Sequence, residues 1–533
     1  MKARLFSLLK NRFFLAMLCA AAILLIAHRR ELSDNLLVYA DVDYYYLLNG
    51  WRDASLLGKD PFMTVFRADK AFLLHTIPFV RPLLPLEVWL SGLVSISQLL
   101  AWKGMLMGMA AAFLVFLTGR RLAGENGAFH LTLLFSVYSF LCMDTYFGGL
   151  MRSLGGPLTC LILYLLVCEK PRAVALLLPV VYFFYAGILP FTGCAALLAA
   201  LFVGDRSRRA GNMITLAAVC AVLGAYMLVF DRWLFSPSAA YHWKDIMERQ
   251  GGIVLLRNYF LNVGDHPYPY LPLTLVFLFG GAVAAAVRRN IASVPRGLAI
   301  FGAAFMAAFC VLALASPGGA SRQTVLALPL FSVVFFWLLL LGARRAEAVF
   351  LSLSALVLIV GGSMTAAEAG VYDFRSKKPL YGFIKSQPLD SLVFAHPEYS
   401  KFIPLFTARP VYFHPIWLDI LPAARGSFVD AKYLDWRIEK NLRAYYSSSL
   451  EPAAKLVRDE GVTLFVVESS CYDYYLNGPK HWFYIFLDRS RNIAGEAGGN
   501  FALYALAQKK GLRVLPETYV LDGETVLREA AKK

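Results

Sequence analysis

The sequence is short of charge. Asp, Glu, Lys and Arg make up only 17% of its 533 residues, against about a quarter in a typical soluble domain. Hydrophobic residues make up 58%, and mean hydropathy is +0.56. That shortage excludes intrinsic disorder, which needs much charge and little apolar surface, and it excludes an ordinary water-soluble enzyme. Cysteine is also sparse: the eight cysteines contain no Cys-x-x-Cys pair, so neither a disulfide framework nor a zinc site is indicated. The eight histidines form no His-Glu-x-x-His motif, and there is no Gly-rich phosphate loop and no Gly-x-Ser-x-Gly elbow.

Long apolar runs are abundant. A hydrocarbon core takes about 20 apolar residues per helical crossing. The runs at about 13–27, 88–118, 128–143, 154–168, 173–188, 189–203, 212–230, 271–287, 297–315, 324–342 and 347–365 predict an α-helical polytopic membrane protein of about eleven transmembrane helices. The first run follows Lys2, Arg4, Lys10 and Arg12 and reads as an uncleaved anchor, since no small-x-small cleavage site leads into a soluble start. Residues 173–203 require a tight hairpin around Gly187 and Pro190.

The net charge of +16 reads as a topology signal. Alternate short loops carry Arg120/Arg121, Lys170/Arg172, Arg206/Arg208/Arg209, Arg288/Arg289/Arg296 and Arg344/Arg345. With the N-terminal charges they place 16 basic groups on one side. Basic residues are retained in the cytoplasm, so the N-terminus is expected there. These clusters alternate with apolar runs and form no continuous basic face, so no nucleic-acid partner is expected. A long first loop (29–87), short loops near 144–153 and 316–323, and a loop at 231–270 then face the periplasm or exterior.

From about residue 371 the apolar runs shorten and are bounded by charge. Leu392–Ala395, Val411–Phe413 and Thr463–Val467 read as buried strands. Asp430–Tyr446 and Glu451–Asp459 have helical periodicity, the second closed by Gly461. The expected organisation is a membrane domain over 1–370 followed by an extracytoplasmic α/β domain over 371–533.

Chemistry-bearing residues concentrate on the outer side. Tyr39-Ala-Asp41-Val-Asp43-Tyr44-Tyr45-Tyr46 follows the first run, and Gly58-Lys59-Asp60-Pro61 follows in turn. Two carboxylates two residues apart can take a proton from a hydroxyl or bind a divalent cation, and the tyrosines offer a stacking surface for a sugar. The plainer alternative is an interfacial helix with an aromatic belt. Asp144 and Arg152 flank the glycine-rich turn Gly148-Gly-Leu-Met-Arg-Ser-Leu-Gly-Gly-Pro157, where backbone can approach a bound head group closely. Arg322, in Ser316-Pro-Gly-Gly-Ala-Ser-Arg-Gln323, is the one charge in its short outer loop. A guanidinium there can grip a phosphate with two prongs or simply snorkel at a span end. Asp265 and His266, before Pro267-Tyr-Pro-Tyr270, are the remaining candidates.

This pattern resembles the GT-C superfamily of integral membrane glycosyltransferases, which includes oligosaccharyltransferases and protein O-mannosyltransferases. The likeness is carried by the Asp41/Asp43/Tyr44–Tyr46 motif after the first span, the Gly58–Pro61 continuation, the many spans and the terminal extracytoplasmic domain. Two further stretches are similar to bacterial members, the Gly148–Pro157 turn and Asp390-Ser-Leu-Val-Phe-Ala-His-Pro-Glu-Tyr-Ser-Lys-Phe-Ile-Pro-Leu-Phe-Thr-Ala-Arg-Pro410. The Trp-Trp-Asp-Tyr-Gly signature of oligosaccharyltransferases is absent, Tyr472-Asp-Tyr-Tyr475 being a loose counterpart, so transfer to an asparagine sequon is not implied.

The resemblance implies an enzyme that transfers a sugar, with inversion, from a polyprenyl-phosphate donor to a glycan, lipid or protein acceptor. The reaction would occur at the outer face of a bacterial inner (plasma) membrane. Asp43 would be the general base, or one side of a metal site with Asp144, and Asp41 its partner. Arg152 or Arg322 would neutralise the departing phosphate, while Tyr45, Lys59, Asp60, Asp144, Asp265 and His266 would line the substrate. A divalent cation, magnesium or manganese, is optional in that family. The competing readings are a transporter or flippase of a lipid-linked glycan and a noncatalytic assembly subunit.

Overall fold

A computed structural model describes residues 11–34, 36–39, 90, 93–141, 151–230, 295–315, 327–338 except 329, 371–400, 402–407, 409–413, 431–477 and 487–532. Two compact units divide the chain. The first comprises Met1–Asp41 and Ile77–Tyr372, the second Val42–Thr76 and Asp373–Lys533.

The described part of the first unit is an apolar helical bundle. Helix α1 (Arg12–Ser33) starts on an Asn11 cap, whose Oδ1 accepts from the N–H groups of Phe13 (3.0 Å) and Phe14 (3.3 Å). Its 22 residues extend about 33 Å, enough for a hydrocarbon core of about 30 Å. Strand β1 (Leu37–Tyr39) follows. Helix α2 (Ile96–Leu141) is broken at Ala123 and Gly124. Gly124 has a φ of +74°, a conformation open to glycine and costly for most other residues. The break turns α2 into a hairpin, in place of one very long span. Small buried residues, among them Ala16, Ala20, Ala111, Ala112 and Ala128, let α1 and the two arms of α2 approach closely, the usual device where lipid gives no hydrophobic drive between helices.

Five more helices complete the labelled part: α3 (Met151–Val167), α4 (Pro171–Tyr185), α5 (Leu189–Phe202), α6 (Arg206–Phe230) and α7 (Arg296–Ala315). A 3-10 turn over Ala186–Ile188 joins α4 to α5, where the hairpin around Gly187 was expected. Phe191 of α5 meets Phe301 of α7 edge to face, centroids 5.0 Å apart. Residues 327–338, apart from 329, are also helical. Among the described residues three stretches are long and apolar enough to cross a membrane: Arg12–Arg29, Gln98–Val137 (the broken α2) and Arg206–Leu228. With 15 and 14 residues, α4 and α5 reach only about 22 Å. The expected spans at 271–287 and 347–365 lie outside the described residues.

Apolar side chains on the bundle surface point to a lipid surrounding. Ile214 and Val222 on α6 are 70% and 71% exposed, and Leu106, Met306 and Val311 are exposed as well. A soluble monomer rarely leaves so much apolar surface to water.

In the second unit the expected α/β character is present. A four-stranded sheet has the order β3-β4-β6-β5, from β3 (Leu392–Phe394), β4 (Val462–Glu468), β5 (Leu512–Leu515) and β6 (Thr518–Asp522). β3 and β4 are parallel, and β4–β6 and β6–β5 antiparallel. Strand β2 (Val371–Asp373), which belongs to the first unit as far as Tyr372, lies outside this sheet and pairs with β1. The strand expected at Val411–Phe413 reduces to one parallel bridge between Val393 and Val411. Helix α8 (Lys378–Ser386) precedes β3; α9 (Pro397–Ser400), α10 (Ile403–Thr407), α11 (Ala431–Tyr446) and α12 (Glu451–Glu460) lie between β3 and β4. After β4 come α13 (Tyr474–Asn477), α14 (Leu487–Glu496) and α15 (Ala502–Lys510), and α16 (Gly523–Ala530) closes the chain. Gly461 ends α12 in the left-handed conformation, φ +74°, with its N–H on the carbonyls of Leu456 and Val457.

Candidate functional site

The basic loop residues of the first unit share one end of the bundle. The Arg12 guanidinium lies over the Phe129 ring, 5.4 Å from its centroid, so the start of α1 meets the α2 turn beside Arg120 and Arg121. Glu169, just beyond α3, reaches Arg296 at the start of α7 (3.9 Å), and Arg172 lies against Gly211 near the start of α6. Gly297 sits so close to α3 that a Cβ there would lie 2.5 Å from the Leu166 carbonyl oxygen.

Helix direction then assigns the other end. There α1 ends at Ser33, α2 ends at Leu141, α3 begins at Met151, α6 ends at Phe230 and α7 ends at Ala315. Asp41 and Asp43 follow the first of these positions in sequence, Asp144 the second, the 231–270 loop the fourth and Arg322 the last. Asp41, Asp43, Tyr45, Lys59, Asp60, Asp144, Asp265, His266 and Arg322 themselves lie outside the described residues. Arg152 occupies the first turn of α3, where its backbone alone is described. Among the described residues no group of three or more His, Cys, Asp or Glu is placed to hold a metal.

Several polar groups in the tail are buried and hydrogen-bonded. Lys377 Nζ bonds the Glu468 carboxylate at 3.0 and 3.2 Å at the end of β4. Burial pushes the Glu468 carboxyl above its ordinary range, and the Lys377 charge only partly offsets that. His396, fully buried after β3, packs edge-on against Tyr445 and Tyr446 and is pulled down to about 3 by desolvation. It is therefore a neutral core side chain, out of reach of substrate. Tyr472 is buried too, stacked between Tyr445 (5.0 Å) and Tyr504 (4.6 Å), with its hydroxyl donating to the Tyr445 carbonyl (3.1 Å). The loose counterpart of the sequon-binding signature thus begins in packing. Arg409 donates to the carbonyls of Lys385, Gln387 and Thr407, and Arg437 to that of Tyr412 while stacking on its ring. Both arginines satisfy buried backbone. The sequence reading missed the Lys377–Glu468 pair and the β1–β2 pairing, which join residues too far apart for any local pattern to register.

No family model matches the chain, and no curated protein matches it. Among solved structures, two of an oligosaccharyltransferase from Archaeoglobus fulgidus resemble it. The one in complex with zinc and sulfate is 13% identical, covering 86% of this chain and 69% of that one, with a TM-score of 0.41. The other, tethered by a disulfide to an acceptor peptide containing the NVT sequon, is 14% identical over 93% and 72%, with a TM-score of 0.40. Scores at that level do not define a shared fold, so the functional reading rests on this chain's own residues.

Proposed function

We propose that the protein is a membrane glycosyltransferase of GT-C type. It moves a sugar from a polyprenyl-phosphate donor to a glycan, lipid or protein acceptor on the extracytoplasmic face. The observation that carries this reading is the placement of Asp41-Val-Asp43 and its tyrosines immediately after α1 and β1, with α1 rising from the basic end of the bundle. By the positive-inside tendency the basic end is cytoplasmic, and the segments with Asp43, Asp144, Arg152 and Arg322 leave from the outer end.

In this account an acceptor hydroxyl attacks the anomeric carbon and passes its proton to Asp43, which Asp41 orients. The carbon–oxygen bond to phosphate breaks on the opposite face, inverting the centre, and its electron pair stays on the phosphate. Arg152 or Arg322 compensates that charge. An aspartate of ordinary pKa about 3.9 suffices, because the hydroxyl need lose its proton only as the new bond forms. Tyr45, Lys59, Asp60, Asp265 and His266 line the sugar and acceptor. The optional divalent cation would be held by Asp43 and Asp144, both outside the described residues.

Transport of the same lipid-linked substrate would call for charges within the membrane path. Among the described residues of the first unit no Asp, Glu, Lys or Arg is buried; the buried polar side chains there are His28, His130 and uncharged groups. The test is Asp43→Asn, which keeps size and removes basicity. If a positioned base supplies about 10²–10⁴-fold, the variant should insert normally and fail to restore the surface glycan of a deletion strain. Arg322→Lys should lower donor use, since a point charge replaces a two-pronged grip. Wild-type glycan with Asp43→Asn would remove the mechanism and favour the transporter.

A further inference from the structure

The β1–β2 pair joins Leu37–Tyr39, just past the first membrane helix, to Val371–Asp373. β1 leaves α1 through a turn in which Asp34 Oδ1 accepts the Leu36 N–H at 2.9 Å, and it packs against α1 and α2. Past β2, the Arg375 side chain grips the Asp373 carboxylate with two prongs, Nη2 to Oδ2 at 2.6 Å and Nε to Oδ1 at 2.9 Å, and its N–H bonds the same Oδ1 at 2.9 Å. Each strand is therefore flanked by an aspartate-stabilised turn.

Three-residue strands in a two-stranded sheet add little stability of their own. What pairing fixes is place, since each backbone hydrogen bond holds donor and acceptor within a few tenths of an ångström. Covalent geometry carries that constraint onward. Asp41 and Asp43 follow Tyr39 by two and four residues, so they can lie no more than about 7 and 14 Å from it.

We propose that β1–β2 is a clasp that positions the Asp41–Asp43 segment. β2, which as far as Tyr372 belongs to the same unit as β1, holds the stem of the acidic motif, and Leu37–Tyr39 and Val371–Asp373 are positioning residues. The role given to the carboxylates rests on the glycosyltransferase reading; the pairing does not. Backbone pairing also requires both stretches to lie on one side of the membrane, so an even number of crossings separates them.

The test uses the full chain in its own membranes, with the native cysteines replaced and one cysteine placed in each strand, every combination being made. Copper phenanthroline is the oxidant, and a protease site in the 231–270 loop reveals intramolecular links. At least one combination should link most molecules in a thiol-reversible way. A membrane-impermeant maleimide should label single cysteines at 38 and 372 from the same side. No link in any combination, or labelling from opposite sides, overturns the proposal.

Proline placed in turn at 37, 38 and 39 supplies the functional arm. At one position or more the surface glycan should fall at least about tenfold at unchanged membrane level, as expected when a reacting group shifts by an ångström, and a cross-link at a neighbouring pair should restore it. Full glycan with every proline overturns positioning. Loss of the glycosyltransferase reading would show separately, as wild-type glycan with Asp43→Asn, whatever the cross-links do.

Discussion

Asp43 and Glu468 are carboxylates under opposite demands. In the proposed mechanism the first must stay ionised beside a polar substrate, whereas the second is buried and held by one lysine. A buried pair is weak evidence for stability, and breaking it from one side is costly. Lys377→Met leaves Glu468 without its cation and should destabilise the protein by about 3 kcal/mol, while Glu468→Gln should be nearly neutral because half-exposed Lys377 can turn to solvent. Thermal unfolding of the purified variants in one detergent checks both. The two shifted groups of the tail also give opposite pH slopes. His396 titrates lower folded than unfolded, so its contribution is present above about pH 6.5 and is lost as pH falls toward 3. Glu468 titrates higher folded than unfolded, so the folded state is favoured at acid pH and its contribution is lost as pH rises above 4.5. His396→Phe should therefore flatten the fall in melting temperature between pH 6.5 and 4 and leave the Asp43-dependent glycan signal in place. A fall as steep as wild type would contradict the burial assigned to His396.

At the scale of elements, periodicity and capping were the legible signals. The first span, α11, α12 with its Gly461 stop, β3 and β4 stand where hydrophobic patterning puts them. The α2 turn sits between the expected spans 88–118 and 128–143. β5 and β6 escaped because they are short strands around the tight Pro516–Glu517 turn, β5 largely exposed and β6 buried at only three of its five residues, with no long apolar run to mark them. Val411–Phe413 has the composition of a strand but forms a single bridge to β3. Helix contacts were not legible either. Gly297 reads as one more glycine in an apolar run, yet it lies on the α3 backbone, so Gly297→Leu must push α7 from α3. A cost of about 1–3 kcal/mol is expected from such overpacking, read as a lower detergent-melting temperature with the membrane level reduced. Gly382→Ala, with open space around it, is the matched control and should be silent.

For the whole molecule, charge distribution was the most informative feature of the sequence. Among the described residues, Arg12, Arg172 and Arg296, which the alternation of loops assigns to one side, are gathered at one end of the bundle. The candidate residues could be read as chemistry, but their mutual geometry could not, because it depends on loops whose placement no local pattern dictates. On the proposed topology, with the N-terminus inside and the tail from about 371 outside, an alkaline phosphatase fused after Lys533 should be active while a cytoplasm-dependent fluorescent protein there should stay dark. The central claim, that Asp43 faces a lipid-linked sugar at the outer end of the bundle, is tested most directly by one density map of the protein purified with the lipid it carries, that lipid being identified by mass spectrometry. The account predicts a polyprenyl phosphate whose head group lies beside Asp43, with Arg152 or Arg322 on the phosphate. A prenyl phosphate threaded through the middle of the bundle, with Asp43 turned to the cytoplasm or the bilayer, would contradict it.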